Sequence, residues 1–189
     1  MDSPIIKGKN IYLRKININD IDDGWLQWIN DSESNQHLST VGNISRDNLI
    51  EYLDKSKPPK VFMFAVCLIK NDEYIGNARI SSVDLVNKKA SYGRMLGVKN
   101  IKGKGIGTEL LYLMAFFSFY HLKLKKITTG VLKDNIASIK SNKNAGATLR
   151  DTSPSLELIN GKYEEVLKFE ITSKSFNKSN WKSFLCSIN

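Results

Sequence analysis

The chain has 189 residues, 41% hydrophobic and 25% charged, enough for one domain with a real core, and these values exclude a disordered or fibrous protein. Its formal net charge of +9 points to anionic partners such as nucleotides, nucleic acids or acidic lipids, although scattered lysines, few arginines and no RNA-binding aromatic motif leave nucleic acid a minor option. Cys67 and Cys186 lack close spacing or histidine partners, which excludes a zinc site and a disulfide framework, and the longest apolar stretch, 110–119, falls well short of the roughly 20 residues that span a bilayer.

Residues 10–16 alternate apolar and polar, with Ile11 and Leu13 on one side, and predict a strand. Asn19 or Asp20 reads as the N-cap of a helix that carries Trp25, Leu26, Trp28 and Ile29. Asn30, Asp31 and Ser32 break it, and residues 33–38 begin a second short helix. Residues 45–57 form a helix opened by Ser45 and Asn48 and stopped by Pro58 and Pro59. Residues 61–69 are a near-continuous apolar strand, with Cys67 inside it as a small buried hydrophobe. A turn at 70–73, a strand at 74–86, a turn at 87–89 and a strand at 90–98 complete an antiparallel meander.

The strand ending Leu96, Gly97, Val98 runs into a loop with Gly103, Gly105 and Gly107, and an apolar helix follows over 108–122. A strand, a glycine-rich turn and a helix N-terminus form an anion cradle: the backbone can approach a ligand, and the first helical amides lack intrahelical partners. The spacing is not that of a P-loop, and reading from Gly103 the sixth position is Thr108 rather than glycine, which removes the dinucleotide fingerprint. A strand at 125–132, a helix at 135–144 stopped by Gly146, and a hairpin of 148–159 and 162–172 across Asn160 and Gly161 complete the core. Residues 173–189 predict a C-terminal helical extension around Trp181 and Phe184. The whole chain, 1–189, reads as one domain with no boundary, of mixed α/β class.

The run Lys102-Gly103-Lys104-Gly105-Ile106-Gly107 resembles the R/Q-x-x-G-x-G/A loop of the GNAT acetyltransferase superfamily, with lysine at the usual Arg/Gln position. The order of elements resembles that superfamily over roughly 5–171. The resemblance implies a GNAT fold: a mostly antiparallel twisted sheet of about seven strands, flanked by helices and splayed at its two central strands. It implies acetyl-CoA as cofactor, with coenzyme A as product. The pyrophosphate is expected at Lys102, Gly103, Lys104, Gly105, Ile106, Gly107 and Thr108. The pantetheine arm is expected beside Leu96, Gly97 and Val98, whose backbone also supplies oxyanion donors. Asn135 and Ser138 match an N-x-x-S pattern of the branch resembling ribosomal-protein and aminosugar acetyltransferases; taken alone, Asp134 or Asn135 reads first as an N-cap, and the glycine loop upstream turns the reading to the cofactor. Lys143 is a candidate phosphate contact, or simply an exposed lysine.

The resemblance implies direct attack of a neutral amine on the thioester, with no covalent enzyme intermediate. The tyrosine that many members place seven residues after the helix-start Asn is here Asn142, so Ser138 is the first candidate acid and Tyr92 the second. Water, Asp84 or Glu33 is expected to take the amine proton. His121 reads as a helix C-cap. Residues 24–38 resemble a segment of family members found with cell-surface sugar biosynthesis; the resemblance implies that they wall the acceptor site, with Trp28 or His37 as candidate acceptor contacts, although packing is the favoured role for both Trp25 and Trp28. The expected acceptor is a small-molecule amine, most concretely a nucleotide-linked aminosugar; a protein N-terminal amine and a non-catalytic acyl-CoA-binding domain are the alternatives. A cytoplasmic location is expected, and the oligomeric state, a homodimer included, stays open.

Overall fold

The computed structural model describes residues 6–37, 43–151, 154–159, 161–178, 182 and 185–188. Strands β1 (Ile6–Gly8) and β2 (Ile11–Lys15) form a hairpin. A turn (Ile21–Trp25), kinked at Gly24 where φ is 156°, runs into α1 (Leu26–Asn30), followed by α2 (Ser32–Asn35) and α3 (Arg46–Lys55). The meander is β3 (Phe62–Leu68), β4 (Tyr74–Asp84) and β5 (Lys89–Leu96). A 3-10 turn (Lys99–Ile101) leads to α4 (Ile106–Phe116) and a π-helical turn (Phe117–His121). Then come β6 (Lys126–Leu132), α5 (Ile136–Asn144), β7 (Thr148–Leu149), β8 (Ser155–Ile159), β9 (Lys162–Thr172), α6 (Ser173–Lys178) and β10 (Leu185–Ile188).

Among the described residues ten strands form one sheet in the order β10-β1-β2-β3-β4-β5-β6-β9-β7, with β8 also on β9. All pairs are antiparallel except β5 with β6, which α4 joins as a crossover. The sheet exceeds the expected seven strands because short edge strands join it. The expected C-terminal helix is one such case: it is confined to α6, and Leu185–Ile188 instead pairs antiparallel with β1. Trp181 and Phe184, on which that helix was expected, lie outside the described residues.

Strand alternation loads both faces. One face, with Phe62, Phe64, Ala78, Ile80 and Tyr92, packs on α4 and α6, where Leu110, Leu111, Leu113 and Phe176 are buried. The other, with Met63, Ala65, Cys67 and Met95, packs on Trp25, Trp28 and Leu49. Each fully buried side chain of this size contributes about 1.5–3 kcal/mol. Burial on both faces explains why β3 reads as a continuous apolar run.

Local signals held where short-range chemistry decides. Ser45 and Asn48 make the capping box of α3, with the Asn48 amide donating to Ser45 Oγ at 3.2 Å and the Ser45 amide to Asn48 Oδ1 at 3.0 Å. Asp20 departs from its expected role. It is buried and does not cap the helix; its carboxylate instead accepts from Arg14 Nη1 at 2.8 Å, from Arg14 Nη2 at 2.5 Å and from the Asn17 amide at 2.7 Å. His121 likewise does not cap; its ring stacks on Phe117 with centroids 5.5 Å apart, and burial lowers its pKa.

Glu109, in the first turn of α4, is 1% exposed. Its carboxylate accepts from the backbone amides of Asn10 at 2.7 Å and Ile11 at 3.1 Å, and from Asn10 Nδ2 at 2.7 Å. This clamps the β1–β2 turn to the helix. Glu109→Ala strands those donors, and the expected cost is on the order of 3 kcal/mol, read as a lower urea midpoint at unchanged m-value.

Candidate active site

The site opens where β5 and β6 part. They pair only over Lys89–Ser91 with Lys126–Thr128. Beyond that, β5 stays on β4 through Leu96 and β6 stays on β9 through Leu132. Between them lies a cleft of about 1050 Å³. Its lining comes from both faces of the sheet. Tyr92, Arg94 and Leu96 lie on the side of α4 and α5, whereas Gly93 and Met95, with Asn77 and Arg79 of β4, lie on the side of α1 and α3. The cleft therefore passes through the sheet.

On leaving the sheet, the chain runs against Trp28 so closely that a Cβ at Gly97 would fall 1.9 Å from the indole. Trp28 is thus a packing residue, and it does not line the cleft. The loop then turns at Gly103 and Gly105, both at φ 78°. That conformation suits glycine, and a Cβ at either would meet no atom within 4 Å, so the space before the loop is open. The first amides of α4, Ile106 and Gly107, have no carbonyl one turn back, and the helix dipole favours an anion there.

Leu96, Gly97, Val98, Lys102, Gly103, Gly105, Ile106, Gly107, Thr108, Asn135 and Ser138 all line the cleft. Lys104 and Lys143 do not; both are exposed, and the Lys104 amide is turned to the Ile101 carbonyl at 3.3 Å. Asn135 caps α5, accepting from the Ser138 amide at 3.0 Å. The plain capping reading thus describes its Oδ1, while its place in the wall agrees with the other.

Tyr92 is buried at 5% exposure and its hydroxyl donates to Asn142 Oδ1 at 2.5 Å. Asn142 Nδ2 in turn donates to the Ser138 carbonyl at 2.8 Å and approaches Ser138 Oγ at 3.4 Å. The two candidate acids are therefore joined through Asn142. Burial pushes the Tyr92 phenol well above its ordinary pKa, so it remains a donor. Arg94 fastens the N-terminal end of α4 to α5: Nη1 donates to the Gly107 carbonyl at 2.9 Å and Nη2 to Ser141 Oγ. Desolvation pulls its guanidinium below the ordinary value.

Neither expected carboxylate base is placed for that task. Asp84 caps the β4–β5 turn, accepting from the Val86 and Asn87 amides, and does not line the cleft. Glu33 lines it, but Lys99 at 2.5 Å and Lys102 at 3.1 Å engage its oxygens and hold its pKa below the usual carboxylate range. His37 also lines the cleft and sits 3.6 Å from Asp134.

Sequence reasoning missed Asn77, Arg79 and the Glu157–Lys168 pair in the wall. For Asn77 and Arg79 the signal was two polar residues at i and i+2 set among Ile75, Ala78 and Ile80. Glu157 and Lys168 meet through their side chains, since the β8–β9 register sets Glu157 opposite Glu164 and Lys168 lies beyond the paired residues.

Gly105→Val tests the loop. A β-branched residue at positive φ is strained and fills the open space, so coenzyme A affinity by calorimetry should fall at least about tenfold. Unchanged affinity would remove the loop from cofactor binding.

The model of the acetyltransferase (GNAT) domain family matches residues 10–148. A probable N-acetyltransferase, YjcK, of Bacillus subtilis strain 168 is 22% identical over 170 residues, covering 85% of this chain and 93% of its own. Among solved structures, spermidine N-acetyltransferase from Vibrio cholerae in complex with CoA and spermine superposes with a TM-score of 0.79 at 20% identity, covering 89% of this chain and 98% of that one. A GCN5-related N-acetyltransferase from Brucella melitensis gives 0.76 at 16% identity, with 94% and 82% covered. No helix of the described residues is long and apolar enough to cross a membrane. The family match spans well over half of the chain, and with the splayed strands and glycine loop it identifies this protein as a member of the GNAT family, an acetyl-CoA-dependent N-acetyltransferase.

Proposed function

We propose that the enzyme acetylates the primary amine of a small molecule, most concretely a nucleotide-linked aminosugar, by direct attack in a ternary complex. The observation that carries this reading is the through-sheet cleft: one end meets the glycine loop, the other a chamber walled by Trp25 and Tyr52. The residues fit the cofactor. The open loop and unpartnered α4 amides suit the pyrophosphate, Lys102 adds charge, and the β5 backbone beyond Ser91, unpaired on its β6 side, suits the amide arm. Acetyl-CoA supplies the acetyl group as a thioester.

This chain's own residues orient the amine, exclude water and move protons. As the C–N bond forms and the C–S bond breaks, sulfur takes a proton and nitrogen loses one. Ser138, held by Asn142 with Tyr92 setting the amide's orientation, passes the first proton to sulfur and regains one from water, so the hydroxyl is restored at the end of the step. The second goes to water, because the cleft carboxylates Glu33 and Glu157 are each held below the usual range by lysines and are weak bases. An amine of pKa about 8 suits that arrangement better than one near 10.4.

Coenzyme A release over a panel of aminosugar nucleotides, amino acids and peptides tests the reading. Turnover of peptides alone would overturn the small-molecule acceptor. Ser138→Ala should lower kcat by about a hundredfold with little change in KM for acetyl-CoA, and Tyr92→Phe should lower it less. A larger loss in Tyr92→Phe would reverse the two assignments.

A further inference from the structure

The cleft has an uneven charge. The cleft wall holds two carboxylates, Glu33 and Glu157, against Arg79, Arg94, Lys99, Lys102, Lys140 and Lys168. Both carboxylates are taken by lysines. Arg94, on the side of the glycine loop, is spent on Gly107 and Ser141. Arg79 differs. It lies on the opposite face, across from Met63 on one neighbouring strand and Gly93 on the other. Its Nη1 donates to the Tyr52 hydroxyl, and its guanidinium lies 5.9 Å from that ring's centroid. Among the described residues no carboxylate pairs with it.

Two further observations point the same way. Beside Arg79 the sheet is bare: a Cβ at Gly93 would meet nothing within 4 Å. One register step along the strand, Asn77 is 5% exposed and lines the cleft. Its Oδ1 accepts from the Tyr74 hydroxyl at 2.6 Å, while its Nδ2 is buried without a hydrogen-bond partner. A buried donor without an acceptor, next to a half-buried cation without an anion, in front of empty space, is complementary to a group of oxygen acceptors bearing negative charge.

We propose that the acceptor carries an anionic oxygen group, a carboxylate or a phosphate, beside its amine, and that Arg79 binds this group with Asn77 as second donor. The proposal rests on the reading that the amine enters from the α1–α3 face. It separates this enzyme from a polyamine acetyltransferase, because a polycation would meet Arg79 with no free carboxylate to offset it.

The test compares matched amines on the wild-type enzyme by coenzyme A release: glucosamine with glucosamine 6-phosphate, an α-amino acid with its amide, and spermidine. The anionic member of at least one pair should have a kcat/KM higher by about tenfold or more. The sugar pair and the amino-acid pair tell phosphate from carboxylate. Arg79→Gln should raise KM for the anionic member by about tenfold, well beyond its effect on the neutral counterpart, with kcat for the anionic member changing less than KM. Arg79→Lys should recover part of the loss. Equal use of both members of each pair, or preference for spermidine, would overturn the proposal while leaving the transferase intact. If no amine accelerates release although acetyl-CoA binds tightly, the transferase reading itself is overturned. Should Arg79→Gln not fold, the wild-type pairs decide alone.

Discussion

A strand in the middle of a sheet ordinarily has both of its backbone edges satisfied, and β5 does not. It pairs with β6 for three residues and then separates, leaving N–H and C=O groups unpaired at the centre of the protein. Such a gap is costly unless something of similar hydrogen-bonding character lies in it, so the fold carries a built-in demand for an extended amide-bearing ligand. Other features of the site follow from this parting. It connects the two faces of the sheet, places the glycine loop at one mouth and the aromatic chamber at the other, and lets Tyr92 of β5 reach α5.

The two sides of the gap are held by different means. On the loop side, Arg94 ties α4 to α5 through one carbonyl and one hydroxyl, contacts that fix geometry without supplying negative charge. On the chamber side, Trp28 presses on Gly97 and Glu33 bridges two lysines, so the α1–α2 segment leans on the strand end and the loop together. Where the family resemblance leads one to look for a tyrosine on α5, Asn142 stands there and accepts from a tyrosine of β5.

What was legible in the sequence was mostly local. The glycine spacing, the Ser45 capping box, the Pro58–Pro59 stop and the Gly161 turn each depend on a few neighbouring residues, and each stands where it was read. Edge strands were not legible, because β1, β7 and β10 are too short to show a period and exist through their partners. Asp20 looked like a cap until Arg14, on a strand, claimed it. Arg79 escaped notice because its meaning depends on which face of β4 it occupies, and register is a tertiary fact.

The Glu109 clamp has a mechanical consequence. Glu109 stands one turn after the glycine loop and grips the backbone of Asn10 and Ile11, residues almost a hundred positions earlier in the chain. The position of the α4 N-terminus is thus indexed against the β1–β2 turn as well as by its own loop. The hairpin near the start of the chain acts as a reference post for the first turn of the helix, held through one buried carboxylate.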